Sequence, residues 1–267
     1  MWCESYCSVQ KYTSDAFTPL FAPFGAQSLK KKGTVFKMIG FIGAMQLELD
    51  GIQALMTEKQ TETVSGIQYV SGRLGKNRIV TAVCGIGKVF AAICTQTMIL
   101  RYSPTLIINT GVAGAISPLL SIGDVVVADK VVQHDMDTSP IGDPVGLISG
   151  INKIFFDTDK KTSDTLAESL ARLNINTLRG TVATGDQFVS STEKKTYLRD
   201  AFGAVSCEME GGSIGHVCYV NSVPFAILRS ISDKADEGAT VDYPSFARTS
   251  AERYVNVIAD FAENWRE

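Results

Sequence analysis

Residues 205–212, Val205-Ser206-Cys207-Glu208-Met209-Glu210-Gly211-Gly212, decide how the rest of the chain is read. Ala204 and Val205 enter this stretch as an apolar run, and Ile214, Val217 and Cys218 follow it on one helical face. The pattern predicts a strand that turns into a helix and carries two carboxylates and a methionine to the turn. Ligands of open α/β sheets bind at such carboxyl ends of strands. Glu208 and Glu210 stand two residues apart, so on a strand both side chains share a face. A plain helix start explains the same acids, because carboxylates in a first turn complement the helix dipole. The balance shifts with Arg229-Ser230-Ile231-Ser232-Asp233, which follows a second predicted strand over 223–228. Two consecutive strands ending in acids point to a site.

Composition narrows the partners. The chain has 267 residues, 45% hydrophobic and 20% charged, enough for a substantial globular core. A net charge of −3 lacks the basic footprint that nucleic acid or an anionic membrane requires, so neither is expected as a partner. No apolar run approaches the ~18 residues of a membrane span. Cys84, Cys94, Cys207 and Cys218 sit inside apolar segments, as buried thiols do. Cys3 and Cys7 lack a second ligand pair at zinc-finger spacing. Reduced thiols and a cytoplasmic location are expected.

Residues 1–37 mix Trp2, Tyr6, Phe17, Phe21 and Phe24 with Pro19, Pro23 and Lys30-Lys31-Lys32, without periodicity. No charged start precedes an apolar segment, so no secretory signal is recognisable. A poorly ordered extension over 1–37 is expected, followed by a single domain over 38–267, with Met38 a candidate start. From there the pattern is regular. The run 38–45 is apolar throughout, as in a strand buried on both faces. Residues 46–56 read as a helix with Glu48 in its first turn. Strands over 66–74 and 78–84 flank Gly75-Lys76-Asn77, a hairpin signal.

Gly85-Ile86-Gly87-Lys88 then turns into a helix over 89–101, which Pro104 stops. A strand over 105–110 ends at Gly111-Val112-Ala113-Gly114, another strand follows over 123–128, and 133–150 reads as a long loop. Ser163 is the predicted cap of a helix to about 173. A strand over 179–183 leads to Gly185-Asp186-Gln187-Phe188, with a short helix near 192–200 and a closing helix over 246–265. Alternating strands and helices predict an α/β fold, a three-layer αβα sandwich around a mixed, largely parallel central sheet.

Three generic motifs fail on inspection. Gly85-Ile86-Gly87-Lys88 lacks Walker spacing and has only two of the glycines of a dinucleotide fingerprint, leaving a tight turn whose backbone can approach a ligand. His134, Asp135 and Asp137 invite a metal, but the chain has two histidines, and the mid-helix His216 reads as structural. A Ser-His-acid triad has no nucleophile elbow to anchor it. No metal and no cofactor is expected.

Taken in order, Ile42-Gly43-Ala44-Met45 with Glu48, Gly85-Ile86-Gly87-Lys88, Asn109-Thr110-Gly111, Gly185-Asp186-Gln187-Phe188, Glu208-Met209-Glu210 and Ser232-Asp233 form one series. It closely resembles the 5′-methylthioadenosine/S-adenosylhomocysteine nucleosidases, of the purine nucleoside phosphorylase-like fold, over about residues 38–265. The resemblance implies hydrolysis of the bond between adenine and a 5′-thio-substituted ribose, with adenine nucleosides as small-molecule partners. It implies Glu48 as the base that activates water, Asp233 as the acid that protonates adenine N7, and Glu210 as the carboxylate on the ribose hydroxyls. Phe188 would stack on the purine and the Val189 backbone would read its edge. Met45, Ile86, Met209 and Tyr243 would line the ribose and 5′-thio pockets, Gly114 the turn beside them, and Arg229 and Ser232 would support water and acid. It also implies a homodimer, in which Thr138 and Ile141 map to the loop that closes a partner's 5′ pocket.

The chemistry agrees with that series. Breaking an N-glycosidic bond places positive charge on the sugar and negative charge on the leaving base. One protonated carboxyl must assist departure while another activates water from the opposite side. An ordinary Asp titrates near ~3.9, so Asp233 can serve as an acid only if its surroundings raise that value. Two departures stand out: Val112 occupies a position where many relatives carry a small hydroxyl residue, and Ala115 one where glycine is common. A phosphorylase on the same fold would need a phosphate cradle where Glu48 stands, and a carboxylate there repels phosphate. Cleavage of an aminodeoxyfutalosine-like nucleoside would use the same acid and base. A non-catalytic adenosine-binding protein would need neither Glu48 nor Asp233.

Overall fold

The apolar run at the start of the domain forms β1 (Met38–Gly43), and its neighbours explain why it is apolar throughout. Ile39 and Phe41 enter one core with Leu106 and Ile108, while Ile42 enters another with Ile107. Gly40 lies against the Met98 side chain, so a larger residue there would push a helix off the sheet. The computed structural model describes residues 38–265, and the expected extension over 1–37 lies outside the described residues.

After β1 come α1 (Asp50–Leu55), β2 (Thr57–Val64), β3 (Ile67–Leu74), β4 (Asn77–Val83), α2 (Lys88–Tyr102), β5 (Leu106–Ala115) and β6 (Val125–Gln133). The second half holds β7 (Phe155–Asp157), α3 (Lys160–Arg172), β8 (Thr177–Thr184), α4 (Thr192–Phe202), β9 (Ala204–Glu208), α5 (Gly211–Val220), β10 (Phe225–Asp233) and α6 (Ala239–Asn264). One ten-stranded sheet runs β10-β6-β8-β9-β5-β1-β4-β3-β2, with β7 on β6. Because β10 also pairs with β5, the strands β5, β9, β8, β6 and β10 close into a ring. The sheet is mixed, and its parallel pairings (β1–β4, β1–β5, β5–β10, β6–β8 and β8–β9) join the strands that lead to the site. Helices cover both faces: Ala91, Cys94 and Met98 of α2 and Ile214 and Cys218 of α5 share one core, and Ile52 of α1, Leu166 of α3 and Phe261 of α6 share the other.

Several local expectations are corrected. The helix expected over 46–56 is interrupted at Leu49 (φ −118°) into a 3₁₀ turn at Gln46–Glu48 and α1, and the Glu48 carboxylate caps that turn by taking the backbone N–H groups of Ala44 and Met45. The turn expected at 111–114 is strand, held in register by β10, with Arg229 opposite Gly111 and Asp233 opposite Gly114. Likewise β10 does not end at 228 but runs on to Asp233. Asp159, not Ser163, caps α3, accepting from the Thr162 N–H at 2.8 Å. β2 was not anticipated because it is a polar, exposed edge strand with no apolar alternation to signal it. The closing helix expected over 246–265 starts earlier, at Ala239, with Pro244 inside α6.

Candidate active site

Six strand ends and one helix surround a cavity of about 280 Å³, near the lower bound of ~300 Å³ for small-molecule sites. Met45 and Glu48 follow β1, Ile86 follows β4, and Val112 to Gly114 belong to β5. Phe188 and Val189 come from the loop after β8, Met209 and Glu210 from the turn after β9, and Ser232 and Asp233 from the end of β10. Tyr243 of α6 completes the wall. The structure therefore gathers every site residue expected from sequence around this cavity except Arg229, which is buried behind it.

Glu48 and Asp233 enter from separate strands. Glu48 is buried, with Oε2 accepting from Ala44 N at 2.6 Å and Met45 N at 3.0 Å, and Oε1 accepting from Val112 N at 3.1 Å. Burial raises its pKa above the ordinary glutamate range, opposed by the attraction of Arg229 and by those backbone donors. Asp233 accepts from Ala235 N at 2.9 Å through Oδ1 and from the Ser232 hydroxyl at 2.9 Å through Oδ2. Burial raises its pKa as well. Val112 and Gly114 on β5 stand beside the two carboxylates, Val112 through its N–H and Gly114 through its missing side chain, since a Cβ there would come within 2.8 Å of Asp233 Oδ1.

Glu210 lies at the start of α5, where Oε1 accepts from Gly87 N at 2.9 Å. Gly87 has φ 97°, a conformation that favours glycine, and this is what turns its N–H toward Glu210. Burial pushes the Glu210 pKa up to about 7, with Glu208 and Glu48 adding to the rise and Arg229 opposing it. The expectation that Glu208 and Glu210 share a strand face is corrected: β9 ends at Glu208 and Glu210 already begins the helix. They converge on one guanidinium instead, Arg229 being ion-paired with Glu208 and 3.5 Å from Glu210 Oε2. Burial alone would lower the Arg229 pKa, but Glu208, Glu210 and Glu48 raise it.

The aromatic side is more open. Phe188 is 47% exposed and meets Tyr243 edge-on, ring centroids 5.6 Å apart, while the Tyr243 hydroxyl donates to Met45 Sδ at 3.2 Å. Behind this lip Lys88 Nζ pairs with Asp135 at 2.7 Å, which accounts for that lysine without a phosphate. His134 packs against Gly185, and its pKa is pushed down to about 4, chiefly by burial. His216 stacks on Phe156 and its Nδ1 meets the Gln133 amide at 3.2 Å. Among the described residues, no group of three or more His, Cys, Asp or Glu side chains is placed to hold a metal. Glu208 and Asn109 stand in the quoted motifs without an assigned role, and both turn out to hold Arg229: Glu208 is ion-paired with it, and Asn109 Oδ1 accepts from its Nη2. The available signal was the spacing Glu-x-Glu, which local periodicity could not resolve into two different elements.

The phosphorylase superfamily model matches residues 38–263. The 5′-methylthioadenosine/S-adenosylhomocysteine nucleosidase of Shewanella loihica is 36% identical over 210 residues, 78% of this chain and 91% of that protein. The aminodeoxyfutalosine nucleosidase of Campylobacter jejuni is also 36% identical, over 84% of this chain and 98% of its own. The crystal structure of Helicobacter pylori 5′-methylthioadenosine/S-adenosylhomocysteine nucleosidase, complexed with an aminopyrrolopyrimidine carrying a thioether-substituted pyrrolidinol, superposes with TM-score 0.83. It is 33% identical, and the match covers 86% of this chain and 99% of that one. The chain belongs to the phosphorylase superfamily, in the family of the 5′-methylthioadenosine/S-adenosylhomocysteine nucleosidases.

Proposed function

We propose that the protein hydrolyses the N-glycosidic bond of 5′-methylthioadenosine and S-adenosylhomocysteine, releasing adenine and the 5-thio-substituted ribose. The observation that carries this is the pair Glu48 and Asp233, two buried carboxyls with raised pKa values that face one cavity from different strand ends. A raised pKa suits both roles: Asp233 keeps a proton to give to adenine N7, and Glu48 is a stronger base toward water. Glu210 accepts from the ribose hydroxyls, and those bonds strengthen as the sugar becomes cationic. Phe188 stacks on the purine, the Val189 backbone reads its edge, and Met45, Ile86, Met209 and Tyr243 enclose the ribose and thioether. Arg229 steadies Glu48 and Glu210, Ser232 donates to Asp233, and Gly114 leaves room beside the acid.

Water rather than phosphate is the nucleophile in this reading, because Glu48 brings negative charge to the wall where a phosphate would need donors. The test is adenine release from methylthioadenosine in phosphate-free buffer, with free 5-methylthioribose as co-product. A ribose-1-phosphate product on adding phosphate would sink it. The likeness to the Campylobacter enzyme favours a second substrate, aminodeoxyfutalosine, whose adenine and ribose meet the same residues. Parallel assays of the three nucleosides rank them.

We further propose a homodimer. Val89, Phe90, Ile93 and Leu100 of α2 and Ile141 in the loop after β6 are exposed apolar side chains, a surface that a second copy would cover. Light scattering that gives a fully active monomer would refute this. The proposal includes a cytoplasmic place in methionine salvage. Free, buried Cys84, Cys94, Cys207 and Cys218 suit a reducing compartment, and among the described residues no helix is long and apolar enough to cross a membrane.

A further inference from the structure

Glu208 has no role in the chemistry proposed above, yet it is the most heavily hydrogen-bonded carboxylate of the site. Oε1 accepts from the Thr184 hydroxyl. Oε2 accepts from Glu210 N at 3.0 Å, from Gly211 N at 2.7 Å and from Arg229 Nη2. Its side chain is 2% exposed and that of Arg229 is 1% exposed. All four partners are donors, so the carboxylate is an acceptor on every side and has no oxygen facing another acceptor. Two of them, the N–H groups of Glu210 and Gly211, are free donors at the start of α5, and they tie Glu208 to the backbone that carries Glu210.

The charges around it do not balance. Glu48, Glu208 and Glu210 all act on the single cation Arg229. Glu208 contacts that cation directly, whereas Glu210 stands 3.5 Å from it. The other groups facing Glu210 are Glu48 after β1, Cys84 after β4 and Tyr243 on α6, none of them cationic. A carboxylate already engaged with Arg229 therefore raises the proton affinity of its neighbours twice over. It adds a like charge, and it occupies the guanidinium that would otherwise hold them ionised.

We propose that Glu208 is a positioning residue that engages Arg229 and thereby sets the protonation range of Glu210 and Glu48, and with it the acid limb of the enzyme's pH profile. This rests on the roles given above to Glu210 and Glu48. Glu208→Gln removes the negative charge and turns an amide NH₂ or carbonyl toward four donors. Arg229 then leans on Glu210, both remaining carboxyls ionise more readily, and the acid limb of kcat/KM moves to lower pH.

The experiment records kcat/KM against pH for the parent, Glu208→Gln and Glu208→Asp with methylthioadenosine. The expected result is an acid limb lower by about 1 pH unit in the Gln variant, a change that corresponds to ~1.4 kcal/mol in proton affinity. The Asp variant keeps the charge and returns the limb toward the parent position. A limb that stays in place in a folded Gln variant overturns the proposal, even if turnover falls, because that is the outcome of a structural role alone. If the Gln variant does not fold, carboxyl-labelled glutamate in the parent decides by NMR. Glu210 should titrate between about pH 5 and 8 in the parent, and a Glu210 that is ionised throughout that range overturns the proposal. A parent without activity on any of the three nucleosides would instead refute the proposed function, so the two failures are told apart.

Discussion

Gly111 of β5 lies directly against Arg229 of β10, its register partner, so closely that a methyl group on Gly111 would overlap guanidinium Nη1 and stand 2.8 Å from Glu48 Oε1. The absence of a side chain at this position is what lets a buried arginine pass beneath the strand and reach Glu208. Gly111→Ala is therefore expected to displace Arg229 and disturb Glu48 together. Overpacking of this kind costs ~1–3 kcal/mol, so a thermal melt should show destabilisation. A drop in kcat should accompany it, and an alanine variant with parental kcat would show that Arg229 has another path.

The two carboxyls proposed to act in catalysis should separate by what their loss leaves intact. Asp233→Asn keeps shape but cannot protonate the departing base, and Glu48→Gln cannot take a proton from water. Each should lower kcat by ~10²–10⁴-fold. Calorimetry with a non-hydrolysable analogue should show near-parental binding to Glu48→Gln, since the proposed role of Glu48 is toward water and not toward the base. Retained turnover in that variant, or a loss confined to affinity in Asp233→Asn, would reverse the assignment.

Glu210 carries a cost in stability that pH reveals. Its pKa rises from 4.5 to about 7 on folding, mainly through burial. The folded state thus holds the proton more tightly, and the stabilising contribution, complete below about 4.5, disappears as pH climbs through about 7. Relative to the parent, Glu210→Gln should gain stability across that window, by a few kcal/mol at most from ~1.4 kcal/mol per unit. Denaturant titrations at both ends of the window check the sign. The same variant should raise KM as well as lower kcat, because ribose contacts are lost before and during bond breaking.

Phe188 is half exposed at the cavity mouth, so its ring does little for folding and is free to cover a base. Phe188→Ala should leave the melting temperature nearly unchanged while raising KM. Base–aromatic stacking is worth ~1–3 kcal/mol, which corresponds to roughly 5- to 150-fold. A large loss of stability without change in KM would mean that the Tyr243 contact is structural.

Most of the cavity's lining was legible in the chain because ligands of an α/β sheet bind where strands end, and strand ends carry local marks. Glu-Met-Glu, Ser-Asp and Gly-Asp-Gln-Phe each follow an apolar run, and each reaches the cavity. The misreadings have two causes, one long-range and one local. Gly111 to Gly114 looked like a turn because glycine and alanine have low strand propensity, but the pairing with β10 overrides propensity there. Glu48 was expected within a helix, whereas it ends a 3₁₀ turn that its carboxylate caps by bonding the preceding backbone.

By itself the sequence determined the alternation of strands and helices, the two-sided burial of the central strands, and which acids stand at strand ends. Those are local properties, written in periodicity and in short motifs. Only the tertiary structure decided that β10 returns to pair with β5, closing the ring that sets Asp233 opposite Gly114 and Arg229 opposite Gly111. It alone decided that Glu208 engages Arg229 while burial raises the proton affinity of Glu210. Register between strands more than a hundred residues apart depends on packing across the whole sheet. The sharing of one cation among three carboxylates depends on distances of a few ångströms, and no local pattern encodes either.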